Sequence, residues 1–395
     1  MKAKKLISAL LASLLLLFLF GSCDNSSVND ETVYFGDEDI GNGVADRENF
    51  LDIAKQVRGV WFSYLELESA PKGSEKEFSA YLSERFQKLK EHNINTVFVH
   101  VRPFADAIYE SSLFPSSFCV AKRQGEKLSF DFLSVIIKQA KRFDLSVHAW
   151  INPYRILPKG KEKEKLSANS PGKACAYPDV VTLEEGIFFS PASLKAQRLI
   201  ISGVREILEN YDVDGIHIDD YFYPSESEEI DCIQFEKYKK AGGALSLSEW
   251  RRENVNALVR GIYLEVKRFS PKKVFSISPC GNLEKNYAQY YADTEKWGSE
   301  DGWCDLLIPQ LYFGFENESL PFESCAREWK SAVKSKNVRL CAGLALYKEG
   351  KEDPNAGESG KDEWIKNNDI IARQIKFLEE NGYDGYCLYS MSFLN

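Results

Sequence analysis

Two aspartates stand side by side in the run DGIHIDDYF, Asp219 and Asp220. Cleaving a glycosidic bond takes one protonated acid for the leaving oxygen and a second carboxylate as nucleophile or base. Adjacent carboxylates repel, which raises the pKa of one of them and suits it to the acid's part. Asp106, in RPFADA, is a third catalytic candidate, and Glu66, Glu68 and Glu316 fall after other strand-like runs. Structural alternatives are an ion pair of Asp220 with Arg102 or Arg155, and a loop-capping role for Asp106. Three of the four histidines, His100, His148 and His217, lie in comparable runs. With Asp219 they would make a metal-dependent hydrolase, but barrel metal sites use HxH or HxxxH pairs and none is present. No metal or other cofactor is therefore expected, and histidines that bond hydroxyls or orient the carboxylates fit better.

These residues need a scaffold that sets strand ends side by side. From Val57 onward, short β-branched or aromatic runs alternate with longer amphipathic ones, the pattern of βα units on a parallel sheet. Strands are expected at 57–64, 96–103, 146–154, 214–222, 274–280, 305–313, 339–346 and 384–391. Helices are expected at 74–92, 131–143, 192–211, 247–269, 286–298, 321–335 and 362–381. This order predicts an α/β fold, a (β/α)8 TIM barrel over residues 46–395. A helix at about 46–57 would fill the place of the eighth. A doubly wound open sheet is the weaker alternative, because no GxGxxG follows a strand. The long connections 155–190, 223–246 and 347–361 would then lie on the face where barrels build their sites, making a cleft for a polymer. The first opens with the basic run KGKEKEK and reads as a solvated excursion.

Alternation along each strand separates helix-facing from interior positions. It turns inward Phe98, His100 and Arg102, then His148, Trp150 and Asn152, then His217, Asp219 and Tyr221. Ser276, Ser278, Gln310 and Tyr312 continue the ring, and Asp220 turns toward the mouth. Burying so many polar groups is costly unless they bond one another or a ligand. Aromatic residues make up 13% of the chain, and Trp150, Tyr154, Tyr221, Tyr223, Tyr312 and Phe313 gather at strand ends. Rings there can pack against the apolar faces of sugars, although Trp150 is expected in the core.

The first residues read as an address. Lys2, Lys4 and Lys5 precede an apolar run from Leu6 to Phe20 and then Gly-Ser-Cys, the layout of a signal peptide over 1–22. The Gly-Ser-Cys end resembles a bacterial lipobox, which makes Cys23 the expected lipidation site. Residues 23–45 are polar and acidic and read as a flexible tether. The signal places the chain outside the cytoplasm, and because no later stretch is apolar enough to span a bilayer, the lipid is its only expected membrane attachment. Of 395 residues, 44% are hydrophobic, which is ample for a large core, and the net charge of −9 argues against nucleic acid as a partner. Nine cysteines contain no CxxC pair, and mostly free, buried thiols are expected. A monomer is the default expectation.

The runs HVRPFADAIYESSLFP (100–115), HAWINPYR (148–155), DGIHIDDYFYP (214–224), WRRENVN (250–256), SISPCGN (276–282), CDLLIPQLYF (304–313) and DGYCLYS (384–390) resemble the glycosyl hydrolase-like 10 family of bacterial exported proteins. The resemblance runs in order from about Arg58 to the C-terminus. It implies a TIM barrel and glycoside hydrolysis, in envelope lipoproteins whose better understood members cut peptidoglycan glycan strands stripped of stem peptides. It places Asp219 and Asp220 at the family's acidic pair, and Arg102, Asp106, Asn152, Arg155, Gln310 and Tyr312 at its other strand-end positions. Ala105, Phe313 and Asn282-Leu283 depart from the family's usual residues around the cleft. The expected function is hydrolysis of a cell-wall glycan by Asp219 and Asp220, with Asp106 as the replacement for either. Arg102, His148, Asn152, Tyr154, Arg155, His217, Tyr221, Ser278, Gln310 and Tyr312 would bind the sugar. A glycan-binding lipoprotein without catalysis is the alternative.

Overall fold

The computed structural model describes residues 56–160, 163–220 and 222–394. The expected signal segment, the tether with Cys23, residues 46–55 and Tyr221 lie outside the described residues. Eight parallel strands close into a barrel. They are β1 (Val57–Phe62), β2 (Thr96–Arg102), β3 (Ser146–Ile151), β4 (Gly215–Ile218), β5 (Val274–Ile277), β6 (Leu306–Leu307), β7 (Arg339–Leu344) and β8 (Gly385–Leu388). Each pairs with its successor, and β8 closes on β1 with Val57 opposite Gly385 and Val60 opposite Leu388. All eight expected strands are present, though several leave the ladder early. The regular part of β6 is two residues long, because Pro309 has no N–H to continue it. Gln310 beyond it is held by single bridges to Cys280 and Gly343.

The helices follow the amphipathic runs. Leu194–Asn210 buries Ala196, Ile200, Gly203, Val204 and Ile207, an i, i+4, i+7 stripe turned to the strands. Leu247–Phe269 starts at a capping box in which Ser246 and Glu249 satisfy each other's backbone N–H groups. The expected helices 286–298 and 362–381 are each broken in two, at Leu283–Ala288 and Thr294–Ser299, and at Glu363–Lys366 and Ile370–Glu380.

One core lies between strands and helices; a second fills the barrel itself. The inner one is built from Val57, Trp61, Phe98, Trp150, Leu306, Ile308, Cys341 and Cys387. Trp61 reaches the axis because β7 offers Gly343, where an added Cβ would lie 2.9 Å from the indole. The connection 155–190 corrects its expected character. It forms an antiparallel sheet of Arg155–Pro158, Val180–Leu183 and Gly186–Phe189, and Ile156, Leu157, Val180 and Phe189 join the main core. Its apolar residues outweigh the basic run, of which Lys163–Lys165 is a short 3-10 turn with no buried residue. The eight described cysteines are all free, and Cys119, Cys304, Cys325, Cys341 and Cys387 are buried. Among the described residues no helix is long and apolar enough to cross a membrane.

Candidate active site

A cavity of about 270 Å³ opens at the C-terminal ends of the strands. Asp219 and Asp220, just past β4, are the two carboxylates among its described lining residues. His100 comes from β2, and Trp150, Asn152 and Arg155 come from β3 and its exit. Gln310 and Tyr312 follow β6, Tyr347 follows β7 and Tyr389 follows β8, while Trp61, Tyr64 and Leu65 close the ring from β1.

The two acids sit in unlike surroundings. With its amide nitrogen turned to the acid, Asn152 donates to both carboxylate oxygens of Asp219, at 2.7 and 2.8 Å; the other orientation would set oxygen against oxygen. Both oxygens thus act as acceptors toward Asn152. For Asp220, burial raises the pKa above the usual carboxylate range, against the pull of a hydrogen bond from Gln310 and the charges of Lys285 and Arg155. One acid is fixed as an acceptor and its neighbour is biased toward holding a proton.

Behind the acids a histidine chain braces the barrel. Trp61 Nε1 donates to His217 Nε2 at 3.1 Å, and His217 Nδ1 lies 2.9 Å from Ser276 Oγ. The indole only donates, so the His217 proton sits on Nδ1 and points at the serine. Burial, and next the charge of neighbouring His148, drive its pKa well below 6.5, so the ring is neutral. His100 is neutral for the same first reason, with the Arg155 cation adding to it. Its ring stacks on Trp150 with centroids 3.7 Å apart. On the far side, burial followed by the Glu66 charge pushes the Tyr389 phenol up to about 12, so it remains a donor.

The family-model comparison decides what this arrangement belongs to. Residues 56–358 match the model described as Glycosyl hydrolase-like 10. The chain belongs to the glycosyl hydrolase-like 10 family. It is 32% identical over 316 residues to the glycosyl hydrolase YngK of Bacillus subtilis, a match covering 74% of this chain and 61% of that protein. It is 30% identical over 329 residues to the glycosyl hydrolase DigH of Escherichia coli K12, covering 75% of this chain and 74% of that one. The match thus spans less than two thirds of the Bacillus relative's length. The fold is shared with the PgaB (BpsB) glycoside hydrolase domain of Bordetella bronchiseptica (TM-score 0.58, 14% identity, 86% of this chain and 95% of that one). It is also shared with the catalytic domain of a Paenibacillus polymyxa β-amylase (TM-score 0.54, 12% identity, 85% and 92%).

In this glycosyl hydrolase-like 10 barrel, Asp219, Asp220, Asn152, Arg155, Gln310 and Tyr312 meet in one cavity, and several other expected site residues are placed elsewhere. Arg102 was expected inside the barrel. A register shift between His100 and Arg102 turns it outward, where its guanidinium lies 4.4 Å from the Phe114 ring and over Gly203, at which any Cβ would collide with it. Asp106 is buried in the loop after β2, with Gln124 Nε2 donating to it at 3.0 Å, and does not line the cavity. His148 sits at the opposite end of the barrel, lining a larger cavity of about 370 Å³ among the strand starts. That cavity is remote from the acids and is not the site. Tyr154 and Tyr223 are buried in the outer core, and Ser278 and His217 are buried and outside the cavity lining. The metal reading has no geometry behind it: among the described residues no three His, Cys, Asp or Glu side chains converge as ligands, and both His217 nitrogens are occupied.

Glu66 is spent on structure. Its Oε2 accepts from Ser63 N and Oγ, both at 2.6 Å, and its Oε1 accepts from Ser390 Oγ at 2.6 Å and Ser392 N at 2.9 Å. It clasps the exit of β1 to the exit of β8. Glu68 and Glu316 are exposed and outside the cavity lining. The residues not anticipated are Tyr64, Leu65, Tyr347 and Tyr389, with Trp61 beneath them. Most lie inside the expected strands 57–64 and 384–391, so strand-end position was the signal available.

Proposed function

We propose that this chain is a glycoside hydrolase acting on an aminosugar polymer outside the cytoplasm, the glycan strands of the cell wall. The observation that carries this reading is the pairing in one aromatic cleft of Asp219, held by Asn152, with Asp220, whose pKa burial raises. Asp220, held protonated to higher pH than an ordinary carboxyl, delivers its proton to the leaving oxygen. Asp219, fixed by Asn152, stabilises positive charge at the anomeric centre. Tyr312, Tyr347 and Tyr389 offer ring faces to the sugar, and Arg155 and Gln310 offer donors to its hydroxyls. The family membership and the names of the relatives support hydrolysis. The basic-apolar-Gly-Ser-Cys start supports export and a lipid on Cys23 as a membrane attachment.

The test incubates the purified protein, Asp219→Asn and Asp220→Asn with denuded and with intact peptidoglycan strands and counts new reducing ends. Wild type should generate them and both variants should lose at least about 100-fold in rate. Binding of the strands without new ends would instead make the protein a glycan-binding lipoprotein.

A further inference from the structure

The described carboxylates of the cleft all come from one wall. Asp219 and Asp220 are consecutive residues, their Cα atoms about 3.8 Å apart, at the exit of β4. In the ring of eight strands, β8 stands four places from β4, directly across the barrel. What β8 and its neighbour β7 present to the acids is Tyr389 and Tyr347, both phenols. The carboxylate that does approach from that side, Glu66, has both oxygens committed to Ser63, Ser390 and Ser392. Asp106, on the β2 side, is buried against Gln124.

This disposition bears on how the anomeric carbon is attacked. Attack comes from the face opposite the leaving group, so the usual two-carboxylate enzymes place acid and nucleophile, or acid and base, on opposite sides of the sugar. Here the side opposite the acid carries hydroxyls and rings. A phenol that keeps its proton, as the raised pKa of Tyr389 makes it do, is a poor nucleophile. Asp219, beside the acid and gripped by Asn152, is placed to hold a polar substituent of the sugar next to the reacting carbon.

Resting on the reading of the chain as a glycoside hydrolase, we infer that the nucleophile belongs to the substrate: the cleft takes 2-acetamido sugars, and the acetamido oxygen attacks C1 while Asp219 accepts the hydrogen bond of the acetamido N–H. In the first step the C1–O bond breaks, its electron pair goes to the leaving oxygen, and Asp220 protonates that oxygen. A lone pair of the acetamido carbonyl oxygen forms the new bond to C1, giving an oxazolinium ion whose positive charge faces Asp219. In the second step water gives a proton to the Asp220 carboxylate and attacks C1. The bond from C1 to the acetamido oxygen breaks, its pair returns to the amide, and Asp220 is an acid again. The sum is one water consumed and configuration retained at C1. A carboxylate offers about four acceptor positions, so the hydrogen bonds of Asn152 and of an acetamido N–H can be accepted by one group.

The test uses denuded glycan strands in which the N-acetyl groups are replaced by N-trifluoroacetyl groups of similar size and much weaker carbonyl nucleophilicity. The full chain should cut native strands with retention at the new reducing end, read by NMR at early times. On trifluoroacetylated strands kcat should fall by at least about 100-fold with KM within about threefold, because binding is kept and the nucleophile is weakened. A smaller fall in kcat, or an inverted first product, overturns the inference while leaving glycoside hydrolysis standing. Absence of any cleavage of native strands overturns both.

Discussion

Asp219 and Asp220 are neighbours in the chain and opposites in environment: Asn152 donates to both oxygens of the first, and burial lifts the pKa of the second. A pair of identical side chains is thereby placed in two unlike environments, the arrangement the proposed reaction needs to draw two roles from two carboxyl groups.

The first prediction concerns pH. In the proposed reaction Asp220 acts in its protonated form, so kcat should fall on the alkaline side of a midpoint lying above the ordinary carboxylate range. Asp220→Asn, tested on a substrate whose leaving group needs no proton, should show no such alkaline limb. An unchanged limb in that variant would move the acid's role to another group.

In the proposed reaction Asn152 acts through Asp219, to whose oxygens it donates. Asn152→Ala should lower kcat by about 100-fold, since a catalytic carboxylate released from its position loses its alignment. The effect should fall mainly on kcat, with the folded content by circular dichroism unchanged. Equal loss of kcat/KM through KM alone would make Asn152 a simple binding residue.

Glu66 separates structure from chemistry among the strand-end acids. Glu66→Ala leaves Ser63 and Ser390 without their shared acceptor and should lower stability by about 2–4 kcal/mol in urea unfolding. At a temperature where the variant is folded, kcat should stay within about threefold of wild type. A loss of kcat comparable to that of Asp220→Asn would return Glu66 to the catalytic set.

Asp106 offers a stability signature. Burial raises its pKa to about 6 from 3.8, opposed by hydrogen bonds from Gln124 and Ser117. The folded chain therefore keeps this proton where the unfolded chain has released it. Stability should decline as pH rises from about 4 to about 6, by roughly 3 kcal/mol for this group, and level off above. Comparing wild type with Asp106→Asn at pH 4 and pH 7 isolates the effect, because the variant lacks this titration. Matching pH dependence in the two would exclude Asp106 as its source.

The loop after β4 hangs on a buried ion pair. Arg251 Nε and Nη2 meet Asp231 at 2.8 and 2.7 Å, and the same guanidinium reaches Tyr291 and the Glu226 and Ser227 carbonyls. Arg251→Met strands a buried carboxylate and several acceptors, which should cost about 3–5 kcal/mol. Thermal unfolding of the variant reads this directly.

The barrel was legible because its strands are short β-branched runs between amphipathic helices, and Val97, Val99 and Val101 do face the helices as alternation requires. The acidic pair was legible for the same reason, as it closes such a run. Arg102 was not, because alternation counts residues and a bulge between His100 and Arg102 shifts the count. His148 shows a different limit. Pointing inward says nothing of height along the axis, and two positions earlier than Trp150 is the floor of the barrel rather than its mouth. Tyr154 and Tyr223 follow their strands closely enough to be read as cleft residues, yet the sheet over 155–190 and the Arg251 anchor bury them. Tyr389 closes the expected strand 384–391 with no charged neighbour to mark it, and Tyr347 lies beyond the expected strand 339–346, in the connection that follows it.

The most direct measurement runs the reaction on denuded glycan strands in ¹⁸O-labelled water and analyses the fragments by mass spectrometry. Hydrolysis through Asp219 and Asp220 predicts shortened strands with one labelled oxygen at each new reducing end, formed by wild type and suppressed in Asp220→Asn. Strands that are bound but left uncut, or fragments that carry no label, would contradict it.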